Sequence, residues 1–473
     1  MWDLIKFSNN TAVITEYGNQ VTYTELDKYC NELSAQIDYR CLVLNLCTNT
    51  LGSLVGYLGF LNAKIVPLML PQHIDLEFLF NIISIYKPDY LYVPNTHVDT
   101  FFYYEKIYSR NDYTLLKTNF KNEYVIHSDL ALLLTTSGST GSPNVVRQSY
   151  KNIMSNINSI VNYLHLTVKD CSITTLPMNY TYGLSVLNSH FYVGASMILT
   201  EYSVIQKEFW TLFKTYEVTS LNGVPYTYEI LDKLRIFKME LPSLKILTQA
   251  GGKISLQLHE KFVKYATDTH KSFIVMYGQT EATARMSYLP FEMSATKIGS
   301  IGVAIPNGKF LLIDEKGVEI NEPHLAGELT YIGDNVCLGY ASSGEDLSLE
   351  DEWLGRLATG DIAEIDKDGF YYIVGRKKRF LKVFGNRVSL DEIEMSIKNY
   401  FTIECACVGE DNCIYICIAI EHTIDSDILN FISKKTNLNH SAFKVINVDR
   451  IPKNESGKFL YKELERLCVN ANS

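Results

Sequence analysis

From Arg40 to Tyr277 the chain alternates short apolar runs with amphipathic stretches. This feature constrains the fold most, because strand–helix–strand order builds parallel sheets covered by helices. Arg40-Cys-Leu-Val-Leu-Asn45 reads as a buried strand, followed by a helix through Leu61 and a second strand at Ile65-Val-Pro-Leu68. Leu130-Ala-Leu-Leu-Leu-Thr-Thr136 reads as a strand running into a Gly/Ser loop. The runs 244–248 and 273–277 read as two more buried strands. From about Gly299 the pattern shifts to short strands and turns, at 310–314 and 327–331, which predicts a β-rich subdomain. A basic run after Gly375 opens a short α+β segment. The expected class is α/β: a large N-terminal domain of two α/β subdomains plus a β-rich subdomain, residues 1–376, and a small C-terminal α+β domain, residues 377–473.

One stretch tests that assignment. Cys41 to Ala63 contains no charged residue and is long enough to span a bilayer. Its Asn, Thr, Ser and Gly residues favour a buried strand, a turn and a helix, so no membrane span is expected. The start, Met1-Trp-Asp-Leu-Ile-Lys6, carries an early acid and no long apolar core, unlike a secretory signal. A net charge of −10, from 43 basic and 53 acidic residues, argues against a nucleic-acid partner while leaving room for a local basic patch. Ten cysteines at irregular positions point to a reducing cytoplasm. Cys405, Cys407, Cys413 and Cys417 invite a zinc reading. Cys405 and Cys407 share one face of a strand, however, and residues 409–412 form a turn, so small apolar core thiols are expected instead.

Thr135-Thr-Ser-Gly-Ser-Thr-Gly-Ser-Pro143 has the composition of a phosphate cradle. Its glycines let backbone N–H groups approach an anion, and its hydroxyls add donors. It is not a Walker A loop, because no Lys-Ser or Lys-Thr follows the second glycine. Alone, the loop also reads as an ordinary Ser/Gly surface turn. Residues 376–387 hold Arg376, Lys377, Lys378, Arg379, Lys382 and Arg387, which read either as a solvated loop or as a hinge facing phosphates.

Four further segments follow in order: Tyr277-Gly-Gln-Thr-Glu-Ala282, Ala358-Thr-Gly-Asp361, Gly375-Arg-Lys-Lys-Arg-Phe-Leu-Lys-Val-Phe-Gly385 and Pro452-Lys-Asn-Glu-Ser-Gly-Lys458. Together with the Ser/Gly loop, they resemble the core motifs of the adenylate-forming superfamily of acyl-CoA synthetases, peptide-synthetase adenylation domains and luciferases. The resemblance covers essentially the whole chain. It implies a two-step reaction in which a carboxylate attacks the α-phosphorus of ATP and a thiol then takes the acyl group.

The resemblance also implies roles for individual residues. Ser137, Gly138, Ser139, Thr140 and Gly141 match the loop that holds the β- and γ-phosphates, and Thr280 a hydroxyl on the α-phosphate. Glu281 matches the carboxylate that holds Mg²⁺. Tyr277 flanks the adenine, and Gly251 and Gly252 line the base pocket. Asp361 and Arg376 match the two ribose contacts. Lys458 carries adenylation, delivered by a mobile C-terminal lid that then rotates. Lys378 sits at the hinge position, and Lys382 and Gly385 match the loop that enters the site for the thioester step. Tyr180, Tyr182, Gly183, Asn222, Val224 and Ala250 are candidates for the acyl pocket, although the tyrosines and Asn222 could equally be packing residues.

The chain departs from the family pattern in places. Asn144 stands where the family has a lysine, with Arg147 close enough in sequence to substitute, and Tyr461 stands where it has an arginine. Residues 171–200 contain no Asp or Glu to pair with a substrate ammonium, which favours a small carboxylic acid without an α-amino group. The chain ends fifteen residues after Lys458, so the thiol is expected in trans, from coenzyme A or from the phosphopantetheine of a separate carrier protein. An amino-acid–carrier-protein ligase and a non-catalytic nucleotide-binding protein are the alternatives.

Overall fold

The computed structural model describes residues 2–135, 144–383, 386–410, 413–420, 424–436, 438–453 and 459–470. Two large mixed sheets dominate it. The first has eight strands, in the order Tyr340–Ala341, Val145–Ser149, Leu130–Thr135, Val66–Pro71, Leu42–Cys47, Tyr90–Pro94, Tyr113–Lys117 and Glu105–Arg110. Its middle is parallel: Leu42–Cys47 pairs with both Val66–Pro71 and Tyr90–Pro94, and Val66–Pro71 with Leu130–Thr135. The second has nine strands, parallel from Thr11–Thr15 through Ser196–Leu199, Cys171–Ile173, Ser220–Gly223 and Ile246–Gln249 to Ser272–Tyr277. A five-stranded antiparallel sheet follows, built mainly from Lys309–Ile313, Gly327–Ile332, Arg356–Ile365 and Tyr371–Arg376.

Helices lie between and outside the large sheets. Alternate residues of Leu42–Cys47 divide between two cores: Leu42, Leu44 and Leu46 meet Leu79, Ile82 and Tyr86 of the outer helix Leu76–Tyr86. Val43 and Cys47 face a central core fed by helices Tyr23–Ser34, Leu51–Asn62, Tyr150–Leu164 and Thr181–Val193 and by strands of all three sheets. That central layer explains the uncharged run. Helix Leu51–Asn62 is buried from Gly52 to Leu61, so no face of it needs charge. It is twelve residues long, and no described helix is long and apolar enough to cross a membrane.

The C-terminal part is smaller. A two-stranded ribbon, Phe380–Val383 with Asn386–Ser389, leads into helix Leu390–Phe401. A three-stranded sheet, Cys405–Glu410, Cys413–Ile418 and Phe443–Asn447, then packs helices on both faces. Cys405 and Cys407 join one apolar core, while Cys417 faces the other beside Leu464 and Cys468. No group of three or more metal-ligating side chains occurs among the described residues.

Candidate functional site

In open α/β sheets ligands gather at the carboxyl ends of the parallel strands. Three adjacent strands of the nine-stranded sheet deliver candidate residues there: Ser220–Gly223 is followed by Val224, Ile246–Gln249 by Ala250, Gly251 and Gly252, and Ser272–Tyr277 by the 278–281 turn. Gly251 has φ +83°, a left-handed conformation that costs an L side chain strain. A Cβ there would overlap the Tyr180 hydroxyl and lie 3.2 Å from Val224, so Gly251, Tyr180 and Val224 form one close-packed corner. Gly252 extends it against Pro225, and Gly183 backs it against the Pro177 carbonyl.

The five-stranded sheet supplies the opposite wall. Its last two strands are antiparallel, and their register sets Asp361 directly opposite Arg376. Asp361 is buried, with Arg376 Nε 3.5 Å from Oδ1. The Tyr277 hydroxyl donates to Asp361 Oδ2 at 2.5 Å, and Gln279 Nε2 donates to the same oxygen at 3.2 Å and to the Thr359 carbonyl at 3.0 Å. Burial raises the Asp361 carboxyl above its ordinary range, and Arg376 and the two donors pull it back. Burial and the neighbouring carboxylate hold Tyr277 firmly in its phenol form. The cluster can accept hydroxyl hydrogens on Asp361 while Tyr277 presents a ring beside them.

Thr280 and Glu281 stand on the short 3₁₀ turn Thr280–Ala282. Gln148 Nε2 donates to the Thr280 carbonyl at 2.9 Å, tying that turn to the strand Val145–Ser149. Glu281 is half-buried and accepts from the Tyr340 hydroxyl at 2.7 Å on Oε1, its one side-chain hydrogen bond among the described residues. One carboxylate with lone pairs to spare suits a hard cation that takes its other ligands from phosphate and water.

Several expected residues stand differently. Arg147 is fully buried and cannot replace the missing lysine: it donates to the carbonyls of Leu338, Tyr340, Leu349 and Glu350 and pairs with Glu352 at 2.5 Å. Asn222 donates to Ser172 Oγ at 3.0 Å and accepts from Thr248 Oγ1 at 2.6 Å, and Tyr182 hydrogen-bonds Thr248, so both side chains are turned into an internal network. Tyr461 lies under the Arg379 guanidinium, 3.7 Å away, and donates to Glu394 at 3.1 Å, a packing role inside the C-terminal part. Ser137, Gly138, Ser139, Thr140, Gly141, Gly385 and Lys458 lie outside the described residues. Lys378 and Lys382 are described by backbone alone, in the turn Lys377–Arg379 and the strand Phe380–Val383.

Sequence reasoning did not single out Gln279 and Tyr340. Gln279 lies inside a motif already singled out, whereas Tyr340 reaches Glu281 only because its short strand pairs with Val145–Ser149. The C-terminal part meets the large one near the Gly251 corner. Lys453, which bridges to Phe459 as an isolated antiparallel pair, sets its ammonium 5.0 Å over Tyr226, one residue after Pro225. Lys398 pairs with Glu229 on the same helix at 2.7 Å.

The chain is similar to known proteins in sequence and in fold. Peroxisomal OPC-8:0-CoA ligase 1 of Arabidopsis thaliana is 28% identical over 363 residues, covering 74% of this chain and 66% of that protein, just under two thirds of its length. Oxalate–CoA ligase of the same plant is 30% identical over 359 residues, covering 71% and 67%. Among solved structures, MatB from Rhodopseudomonas palustris bound to ATP superposes with a TM-score of 0.80 at 22% identity, over 98% of each chain. O-succinylbenzoate coenzyme A synthetase (MenE) from Bacillus subtilis in complex with AMP gives 0.80 at 20% identity, over 98% of this chain and 97% of its own. At these identities the two structures establish the fold, a large N-terminal and a smaller C-terminal domain. The family model of the AMP-binding enzymes matches residues 5–341, well over half of the 473, and the chain belongs to that family, within the adenylate-forming superfamily.

Proposed function

We propose that the protein is an AMP-forming acid–thiol ligase, which joins a carboxylic acid to the α-phosphate of ATP and passes the acyl group to coenzyme A. The observation that carries this reading is the Asp361 cluster. A buried carboxylate, braced by Arg376, Tyr277 and Gln279, stands beside the glycine corner at the carboxyl ends of the sheet. Asp361 is the ribose acceptor, Tyr277 the adenine flank and Gly251-Gly252 the close wall of the base pocket. Glu281 holds Mg²⁺, which when bound neutralises phosphate charge. Lys458 offsets the repulsion between carboxylate and α-phosphate and stabilises the charge of the transition state. Support for its delivery comes from Lys453 resting on Tyr226, which brings the root of the 454–458 segment to the Gly251 corner. Lys378 and Lys382 serve the rotated state that opens the site to the thiol. We divide the chain after residue 376, where the last strand of the five-stranded sheet ends.

Support for coenzyme A as the acceptor comes from the curated relatives, which are named as coenzyme A ligases for acids as different as oxalate, 4-coumarate and long-chain fatty acids. That spread leaves the acid to be read from this chain, and the lack of Asp and Glu over 171–200 favours one without an α-amino group. Cytoplasmic location is part of the proposal, supported by ten irregularly spaced cysteines.

ATP–pyrophosphate exchange across a panel of aliphatic, hydroxy, aryl and amino acids, followed by coenzyme A consumption, tests the reading. Exchange with non-amino acids and acid-dependent loss of free thiol are expected. Exchange restricted to amino acids would make the protein an amino-acid ligase, and ATP binding without exchange for any acid would make it non-catalytic.

A further inference from the structure

Arg147 and Arg285 are the largest side chains that the fold buries almost completely. Arg147 is matched throughout, with four carbonyls and the Glu352 carboxylate around its guanidinium. Arg285 is not. Its Nε donates to Ser185 Oγ at 3.1 Å, and Nη1 to the Tyr163 hydroxyl at 3.1 Å and the Met276 sulfur at 3.2 Å. The Tyr182 ring lies 5.2 Å from the guanidinium carbon. Nη2 makes no hydrogen bond, and no carboxylate lies within ion-pair distance among the described residues. A buried cation served by two hydroxyls, a thioether and a ring face is short of an anion and of two acceptors.

Its position says where that anion comes from. Tyr182 and Ser185 are on helix Thr181–Val193, whose N-cap, Tyr180, packs at the Gly251 corner. Ser185 follows Tyr180 by five residues, about 7.5 Å along the axis, so the helix links the proposed reaction centre to the guanidinium. Arg285 follows Glu281 by four residues, past two non-glycine residues with positive φ, Thr283 (+53°) and Ala284 (+92°). Thr181, Ser185 and Thr283, together with several Leu and Ile side chains, line a small cavity nearby with room for about one water, a volume of about 10 Å³. Ser185, which accepts from Arg285 Nε, links the guanidinium to that cavity.

We infer that Arg285 determines substrate specificity by pairing with a second carboxylate at the far end of the acid, so that the protein's substrates are short dicarboxylic acids. This rests on the acid-activation reading above and narrows it. One carboxylate meets the nucleotide, and the other takes the two free Nη2 hydrogens. A methyl end at the same place would leave the guanidinium unmatched, so a monocarboxylic acid of equal length is rejected.

ATP–pyrophosphate exchange with matched pairs tests this: succinate against butyrate, and glutarate against pentanoate. The wild-type protein is expected to use the better diacid on the order of a hundredfold more efficiently by kcat/KM. Arg285→Met, which keeps the length and removes the charge, should cut diacid exchange by a similar factor and leave the monoacid within about threefold. A wild-type ratio near one, or a ratio unchanged in Arg285→Met, overturns the inference. If that variant does not fold, as judged by circular dichroism, the wild-type ratio alone decides. Exchange with monoacids and none with diacids removes only this inference, whereas no exchange with any acid removes the ligase reading as well.

Discussion

His190 shows what burial does to a single titratable group. It lies on the same helix as Tyr182 and Ser185, with Nδ1 2.8 Å from the Val186 carbonyl and Nε2 3.2 Å from Ser220 Oγ. Burial, with Arg285 nearby, lowers its pKa from 6.5 to about 4. The unfolded chain therefore takes a proton near pH 6.5 that the folded chain refuses until about 4. Stability is full above 6.5 and falls as the pH drops through that window, by about 2 kcal/mol at pH 5. Urea titrations at pH 7 and 5 should show His190→Gln losing about 2 kcal/mol less on acidification than the wild type; equal losses would remove the assignment. At this scale the sequence was a partial guide. Asp361, Arg376 and Tyr277 were legible because each lies in a contiguous motif. Arg147 was misread because proximity in sequence to the Ser/Gly loop says nothing about burial. Its partners Leu338, Tyr340, Leu349 and Glu352 lie about two hundred residues away.

Elements show why some of the site was readable and some was not. The Asp361–Arg376 pair is a hairpin register, set by the turn between adjacent antiparallel strands and by a one-residue shift between Ile362 and Ala363, all within one contiguous stretch of sequence. The Tyr340–Glu281 contact needs a two-residue strand, the edge of the eight-stranded sheet and the 3₁₀ turn after Tyr277 to meet, and no local pattern encodes that. The uncharged run 41–63 was legible as strand and helix, and its glycines now have a structural reason. A Cβ on Gly56 would overlap the Tyr92 ring, whose hydroxyl donates to the Gly52 carbonyl at 3.0 Å. Gly56→Ala should therefore overpack the central layer and cost about 1–3 kcal/mol. Urea denaturation at pH 7 reads this directly. A midpoint equal to the wild type's would mean that the helix and the Tyr90–Pro94 strand are not closely packed.

Across the whole molecule, the proposed chemistry depends on two bodies meeting at one corner. Two large sheets sandwich the buried helices and offer the carboxyl ends of Ser220–Gly223, Ile246–Gln249 and Ser272–Tyr277. The C-terminal part rests on helix Pro225–Lys233 through Lys398–Glu229 and Lys453 over Tyr226. Helix Leu390–Phe401 also packs against strand Tyr371–Arg376, and Lys377 pairs with Glu328 at 2.8 Å. In the proposed reaction Lys458 arrives from that surface for adenylation and withdraws for thioester formation, when Lys382 takes its place. The most direct measurement is acid-dependent ATP–pyrophosphate exchange in Lys458→Ala beside Lys382→Ala, each checked for folding. The account predicts exchange reduced on the order of a hundredfold or more in Lys458→Ala, and near wild-type exchange with slowed coenzyme A thioester formation in Lys382→Ala. Wild-type exchange in Lys458→Ala would contradict it.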